Sequence, residues 1–158
     1  MTFKLFHFVD DNEDFLEFAS ALAEVEGYAA RIFSSPLAYL EFAASEAYVL
    51  PTALFSDVRM PEMNGLVMLD RVREMHPDIR TAIITGFMDE GEKASHCLYL
   101  RKPAQPEILI RMFEQFSRCV KDGPDEPKIG CREADDRGYF RIDCWECPAV
   151  VRCREEAA

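Results

Sequence analysis

The sequence predicts an α/β domain on a five-stranded parallel, doubly wound sheet, followed by a small cysteine-rich appendage. Three observations predict it. Strand-like apolar segments alternate with helix-like amphipathic ones about five times. The first strand, FKLFHFV, is almost continuously apolar, as expected where both sheet faces are covered. Behind the last helix a linker rich in Pro, Gly and charge precedes four of the chain's six cysteines.

The first strand spans roughly Phe3 to Val9. Asn12 to Glu26 follows as a helix, because Phe15, Phe18, Ala19, Leu22 and Val25 recur every three or four positions, and Gly27 ends it. Tyr28 to Phe33 is a short second strand. Ser35 and Pro36 supply a cap and a first helical residue, and the second helix runs from Leu37 to Ala47. Thr52 to Ser56 is the third strand, running into Asp57. The stretch VRMPEMNG after it is a loop, held open by Pro61 and Asn64-Gly65. Helical spacing resumes from Leu66 to Met75 and stops at His76-Pro77. Arg80 to Thr85 is the fourth strand, Gly86 to Cys97 is polar with room for little more than two helical turns, and Leu98 to Leu100 is the fifth strand. Gln105 to Val120 is the last helix. The domain therefore covers residues 1–121, with linker and tail at 122–158.

The chain has 158 residues, enough for one ordinary domain and a few dozen more. Acidic residues outnumber basic ones 29 to 18, and the net charge of -11 opposes direct engagement of nucleic acid or anionic lipid. No apolar run approaches the roughly 18 residues of a spanning helix, and acidic residues come too early for a secretory signal. The expected location is the cytoplasm, with no membrane and no nucleic acid among the partners.

Asp10 and Asp11 follow the first strand, Asp57 ends the third, and Thr85 and Lys102-Pro103 close the fourth and fifth. Parallel strands bring these residues to one rim, where open α/β sheets bind ligands. Three convergent carboxylates repel one another unless a cation sits among them, and a hard divalent ion such as Mg²⁺ suits the cluster. Asp11 and Asp57 are its expected ligands, with Asp10 direct or through water. Lys102 and Thr85 add a positive charge and a hydroxyl for a bound anion, which together describe a phosphoryl-handling site.

Asp10-Asp11, DVRMPEMNG with Asp57, Thr85-Gly86 and YLRKP with Lys102-Pro103 stand in an order that resembles the receiver domain of bacterial two-component response regulators, over about residues 1–121. The resemblance implies a flavodoxin-like sheet of order 2-1-3-4-5. It implies that Asp57 is the phosphoacceptor, taking a phosphoryl group from a sensor histidine kinase or a phosphotransfer protein, and that Mg²⁺ is held by Asp11, Asp57 and the backbone carbonyl of Arg59, with Asp10 completing the pocket. Lys102 and Thr85 would bind phosphoryl oxygens, and Tyr99 matches an aromatic switch position. No catalysis is expected beyond phosphoryl acceptance and slow self-hydrolysis. The sequence departs from the family between Thr85 and Lys102, only 17 positions apart, with His96-Cys97 where Gly-Ala is usual. A stunted or irregular fourth helix is expected there.

Residues 122–158 carry ten acidic and six basic side chains, and no basic recognition helix. A standard DNA-binding output is not expected, and signalling would run through contact with a downstream protein that the sequence does not name. Cys131, Cys144, Cys147 and Cys153 bring four thiols within reach of one centre, with the CWEC turn the strongest element. Zn²⁺ and an iron-sulfur cluster both fit that spacing, and disulfide-bonded or unligated cysteines are the plainer alternatives. The competing function is a metal or redox sensor that uses the receiver-like fold as a docking platform.

Overall fold

The computed structural model describes residues 4–77, 79–86, 98–121 and 139–141. In chain order the elements are β1 (Leu5–Val9), α1 (Glu13–Val25), β2 (Ala29–Phe33), α2 (Pro36–Ala43), β3 (Ala53–Ser56), α3 (Gly65–Met75), β4 (Thr81–Thr85), β5 (Leu98–Arg101), α4 (Pro106–Lys121) and β6 (Tyr139–Arg141). They form one sheet of order β2-β1-β3-β4-β5-β6. The first five strands are parallel, as the sequence predicts.

The sheet has one strand more than expected. Residues 139–141 pair antiparallel to β5, with Tyr99 opposite Phe140. Three residues in a charged context carry too little period-2 pattern to read as a strand, so only the open edge of β5 makes them one. The proposed helical turns between Gly86 and Cys97, most of the linker and all four tail cysteines lie outside the described residues.

The continuously apolar first strand has a simple origin. Phe6 and Phe8 of β1 enter one core layer with Ala53 and Phe55 of β3 and Ala82 and Ile84 of β4, beneath α1 and α4. Val9, Leu54 and Ile83 enter the opposite layer beneath α2 and α3. Alternate residues feed different cores, so both parities of β1 are buried, with His7 the one polar residue between Phe6 and Phe8.

Local signals set the helix ends. Asn12 caps α1 by accepting the Phe15 amide, and Ser35 caps α2 by accepting the Ala38 amide. Gly27 adopts a φ of 89° just beyond α1, in the left-handed region that favours glycine. The second helix is shorter than expected, ending at Ala43 rather than Ala47. There the Ser45 hydroxyl donates to the Phe42 carbonyl at 2.7 Å, and the Tyr48 amide donates to the Ser45 carbonyl. A serine that bonds back to the preceding turn competes with helix continuation, and the resulting turn swings Tyr48 onto His76 and Tyr39.

Candidate functional site

The backbone carries the acidic residues to the C-terminal rim by extending each strand's ladder one step. The Asp10 amide donates to Phe33 O, the Asp57 amide to Val9 O, and the Lys102 amide to Thr85 O at 2.8 Å. The backbones of Asp10, Asp57 and Lys102 are thus placed by sheet hydrogen bonds rather than by free loops.

Ligand oxygens of Asp10, Asp11 and Asp57 all lie within 4.8 Å of one another. Asp10 is buried and Asp11 exposed, so the cluster opens to solvent on the Asp11 side. The Lys102 ammonium bridges the other two, at 2.7 Å from Asp10 Oδ2 and 3.2 Å from Asp57 Oδ2. Backbone donors hold the remaining oxygens: the Asn12 amide reaches Asp10 Oδ1 at 2.9 Å, and the Val58 amide reaches Asp57 Oδ1 at 2.7 Å. Asp57 is oriented by a donor on each oxygen.

Electrostatics follow from this packing. Burial pushes the Asp10 carboxyl above its usual range, although Lys102 and the Asn12 amide pull it down; the Asp57 charge adds to the rise. For Lys102 burial opposes the charge, yet Asp10 and Asp57 outweigh it and hold the ammonium above the ordinary lysine range. Ionised together, three carboxylates and one ammonium leave a formal excess of two negative charges around one opening. A divalent cation with oxygen preference fits that deficit and that donor set.

Glycine at position 65 is a steric requirement. A Cβ there would stand 1.8 Å from the Asp57 carbonyl oxygen, because α3 starts against the backbone of the residue it supports and the Gly65 amide donates to Val58 O. The sequence marks Asn64-Gly65 only as a turn. Its second role, close approach to Asp57, needs the tertiary structure.

Of the residues expected at the site, Asp10, Asp11, Asp57 and Lys102 come together. Thr85 is buried at the end of β4, tied through its carbonyl to Lys102. Arg59 is exposed two residues beyond Asp57. The backbone of Tyr99 lies in β5 between Ile83 and Phe140, while its side chain lies outside what the structure describes. Cys131, Cys144, Cys147 and Cys153 also lie outside it. The sequence missed Phe15, which it assigned to the helix's apolar face. Its ring lies 4.9 Å from the Lys102 ammonium.

Five parallel strands flanked by helices, with an acidic pocket and a bridging lysine at their C-terminal rim, define a class of α/β domain that binds its ligands at that rim. The chain belongs to the response regulator receiver domain family, whose model matches residues 6–114. It is 30% identical over 122 residues to the transcriptional regulatory protein FixJ of Rhizobium meliloti, covering 74% of this chain but only 58% of FixJ. It is 32% identical over 112 residues to the response regulator receiver protein CpdR of Brucella abortus, covering 68% of this chain and 91% of CpdR. Among solved structures it resembles FixJ-N with a TM-score of 0.62 and 26% identity, over 75% of this chain and 96% of that one. A CheY-like receiver domain from Methanospirillum hungatei shares the fold, with a TM-score of 0.63 and 22% identity over 77% of this chain and all of that one.

Receiver domains interact with histidine kinases or phosphotransfer proteins, and as a rule they accept phosphoryl groups rather than catalyse. None of the described helices is long and apolar enough to cross a membrane.

Proposed function

We propose that Asp57 accepts a phosphoryl group from a phosphohistidine of a sensor histidine kinase or phosphotransfer protein. The observation that carries this reading is the grouping of Asp57 with Asp10, Asp11 and Lys102 in one pocket that is closed on the Asp10 side and open on the Asp11 side. An Asp57 carboxylate oxygen attacks phosphorus, the P–N bond breaks, and its electron pair leaves on the donor imidazole. The Val58 amide keeps the other oxygen in place. Lys102 then turns from the carboxylate to a phosphoryl oxygen, and Thr85 supplies a hydroxyl to another.

Asp10, Asp11 and Asp57, with the Arg59 carbonyl, would hold Mg²⁺, which supplies neutralisation of the charge on the transferring group. Tyr99 serves as the switch aromatic on β5. The domain occupies residues 1–121 and works in the cytoplasm, with self-hydrolysis as its one slow catalytic step. Residues 122–158 signal through protein contact, a reading supported by their acidic balance. The metal- or redox-sensing alternative is supported only by the spacing of the four tail cysteines.

The test is covalent labelling of the full chain with a small phosphodonor and Mg²⁺. One phosphoryl group per chain is expected, and Asp57→Ala should take up none. Label that persists in that variant, or never appears in the wild type, removes the reading.

A further inference from the structure

The Lys102 ammonium has a third neighbour that is not a carboxylate. The Phe15 ring lies with its centroid 4.9 Å from Nζ, on the α1 side of the pocket. Phe15 is fixed there from two directions. Its amide donates to the Asn12 cap at 3.2 Å, so the first turn of α1 sets its backbone. Its ring packs against the buried layer that includes Phe6, Leu16 and Phe113. The residue that contacts the lysine is therefore anchored by the same turn whose Asn12 amide holds Asp10.

An aromatic face attracts an ammonium through the ring quadrupole and accepts no directional hydrogen bond from it in the way an oxygen does. That difference matters for a lysine that has to change partners. A carboxylate at position 15 would hold the ammonium back, and a small side chain would let water solvate it from the α1 side. A ring holds the charge in place and leaves its N–H groups free to turn to a new oxygen.

We propose that Phe15 is a positioning residue for Lys102. Its face holds the ammonium over the acidic pocket and shields it from water, so that the charge meets the phosphoryl group arriving on Asp57. This inference rests on the acceptor reading of Asp57. Because the Lys102 side chain keeps 23% of its surface exposed, the effect belongs at the modest end for such contacts. About two- to fivefold in rate is the expected size.

The experiment substitutes Phe15 in the full chain with residues that keep the face (Phe15→Tyr, Phe15→Trp) or keep only apolar volume (Phe15→Leu, Phe15→Met). Initial rates of phosphoryl uptake from acetyl phosphate and Mg²⁺ are compared with urea midpoints. The face-keeping variants should label at near the wild-type rate, and both volume-keeping variants should be slower by about two- to fivefold while remaining folded. In the unphosphorylated protein, the Lys102 Hε resonances should be shifted upfield by the ring and should return to ordinary positions in Phe15→Leu. Leucine or methionine variants that label as fast as wild type, or Lys102 Hε resonances with no ring shift in the wild type, would overturn the proposal. A wild-type chain that takes no label removes the acceptor reading and this inference with it. Normal wild-type labelling with unchanged Phe15→Leu removes the Phe15 role alone.

Discussion

The two faces of the sheet are filled by different chemistry, although β1 supplies both from alternate positions. Beneath α1 and α4, Phe6, Phe8, Phe55 and Phe113 stack or meet edge to face, with ring centroids 4.8–6.0 Å apart. Beneath α2, the intervening residue His7 is fully buried and polar. Its Nδ1 lies 2.9 Å from the Tyr39 hydroxyl, which lies 2.9 Å from the Tyr48 hydroxyl. Tyr48 stacks on His76 at 4.3 Å, and His76 Nε2 reaches the Ala43 carbonyl. One face is an apolar jigsaw. The other sets a hydrogen-bonded aromatic chain, running from His7 to His76, beside an aliphatic cluster that includes Val9, Leu54, Met68, Leu69 and Ile83.

The two faces are vulnerable to different perturbations. An apolar layer responds to lost volume and hardly to pH. A buried histidine responds to protons, because burial, reinforced by the Arg31 charge, lowers its pKa from 6.5 to about 4. Among the described residues His7 Nε2 has no hydrogen-bond partner, so the site favours the neutral imidazole over the charged one.

Four measurements probe this contrast. The largest loss is expected from Phe113→Ala, which removes a ring shared by Phe6, Phe8, Tyr28 and Phe55. Urea unfolding should show about 3–5 kcal/mol lost, and a much smaller loss would mean that the layer collapses to refill the site.

Second is acid sensitivity. The folded pKa of His7 lies below the unfolded one, so the unfolded chain takes up the proton first. The stability from His7 is fully present above about pH 6.5 and is lost as pH falls toward about 4. That window corresponds to roughly 3 kcal/mol at most. In His7→Leu the part of the acid loss in that window should disappear. An unchanged pH profile in that variant would assign the loss to other groups.

Third, Tyr39→Phe leaves His7 Nδ1 and the Tyr48 hydroxyl short of a partner, and about 1–3 kcal/mol should be lost. In the His7→Leu background that loss should shrink, since one orphaned group is gone. Smallest is Arg31→Met. The guanidinium lies 4.2 Å from the Phe42 ring centroid, and its removal should cost about 0.5 kcal/mol. It should also raise the His7 midpoint, which an NMR titration reads directly.

Much of the site was legible because the fold makes it so. Asp10-Asp11, Asp57, Thr85 and Lys102 each sit at the end of an apolar run, and parallel strands carry such ends to one rim whatever the intervening residues are. His7 was legible only as part of the first strand. Its depth and its bond to Tyr39 were not, since 32 positions separate the pair. Phe15 read as one more apolar residue on a helix, because helical spacing reports which face is buried and not what that face touches.

Local propensity and parallel topology account for the strand–helix alternation, the helix cap at Ser35 and the convergence of the charged rim, all of which are legible in the chain. The packed fold adds that residue 65 has no room for a Cβ, that Phe15 covers Lys102 and that Tyr139–Arg141 pairs with β5. Each of those depends on the distance between atoms remote in the chain. Spacing along a sequence carries periodicity, whereas contact across a fold is set by how the packed layers come to rest against one another.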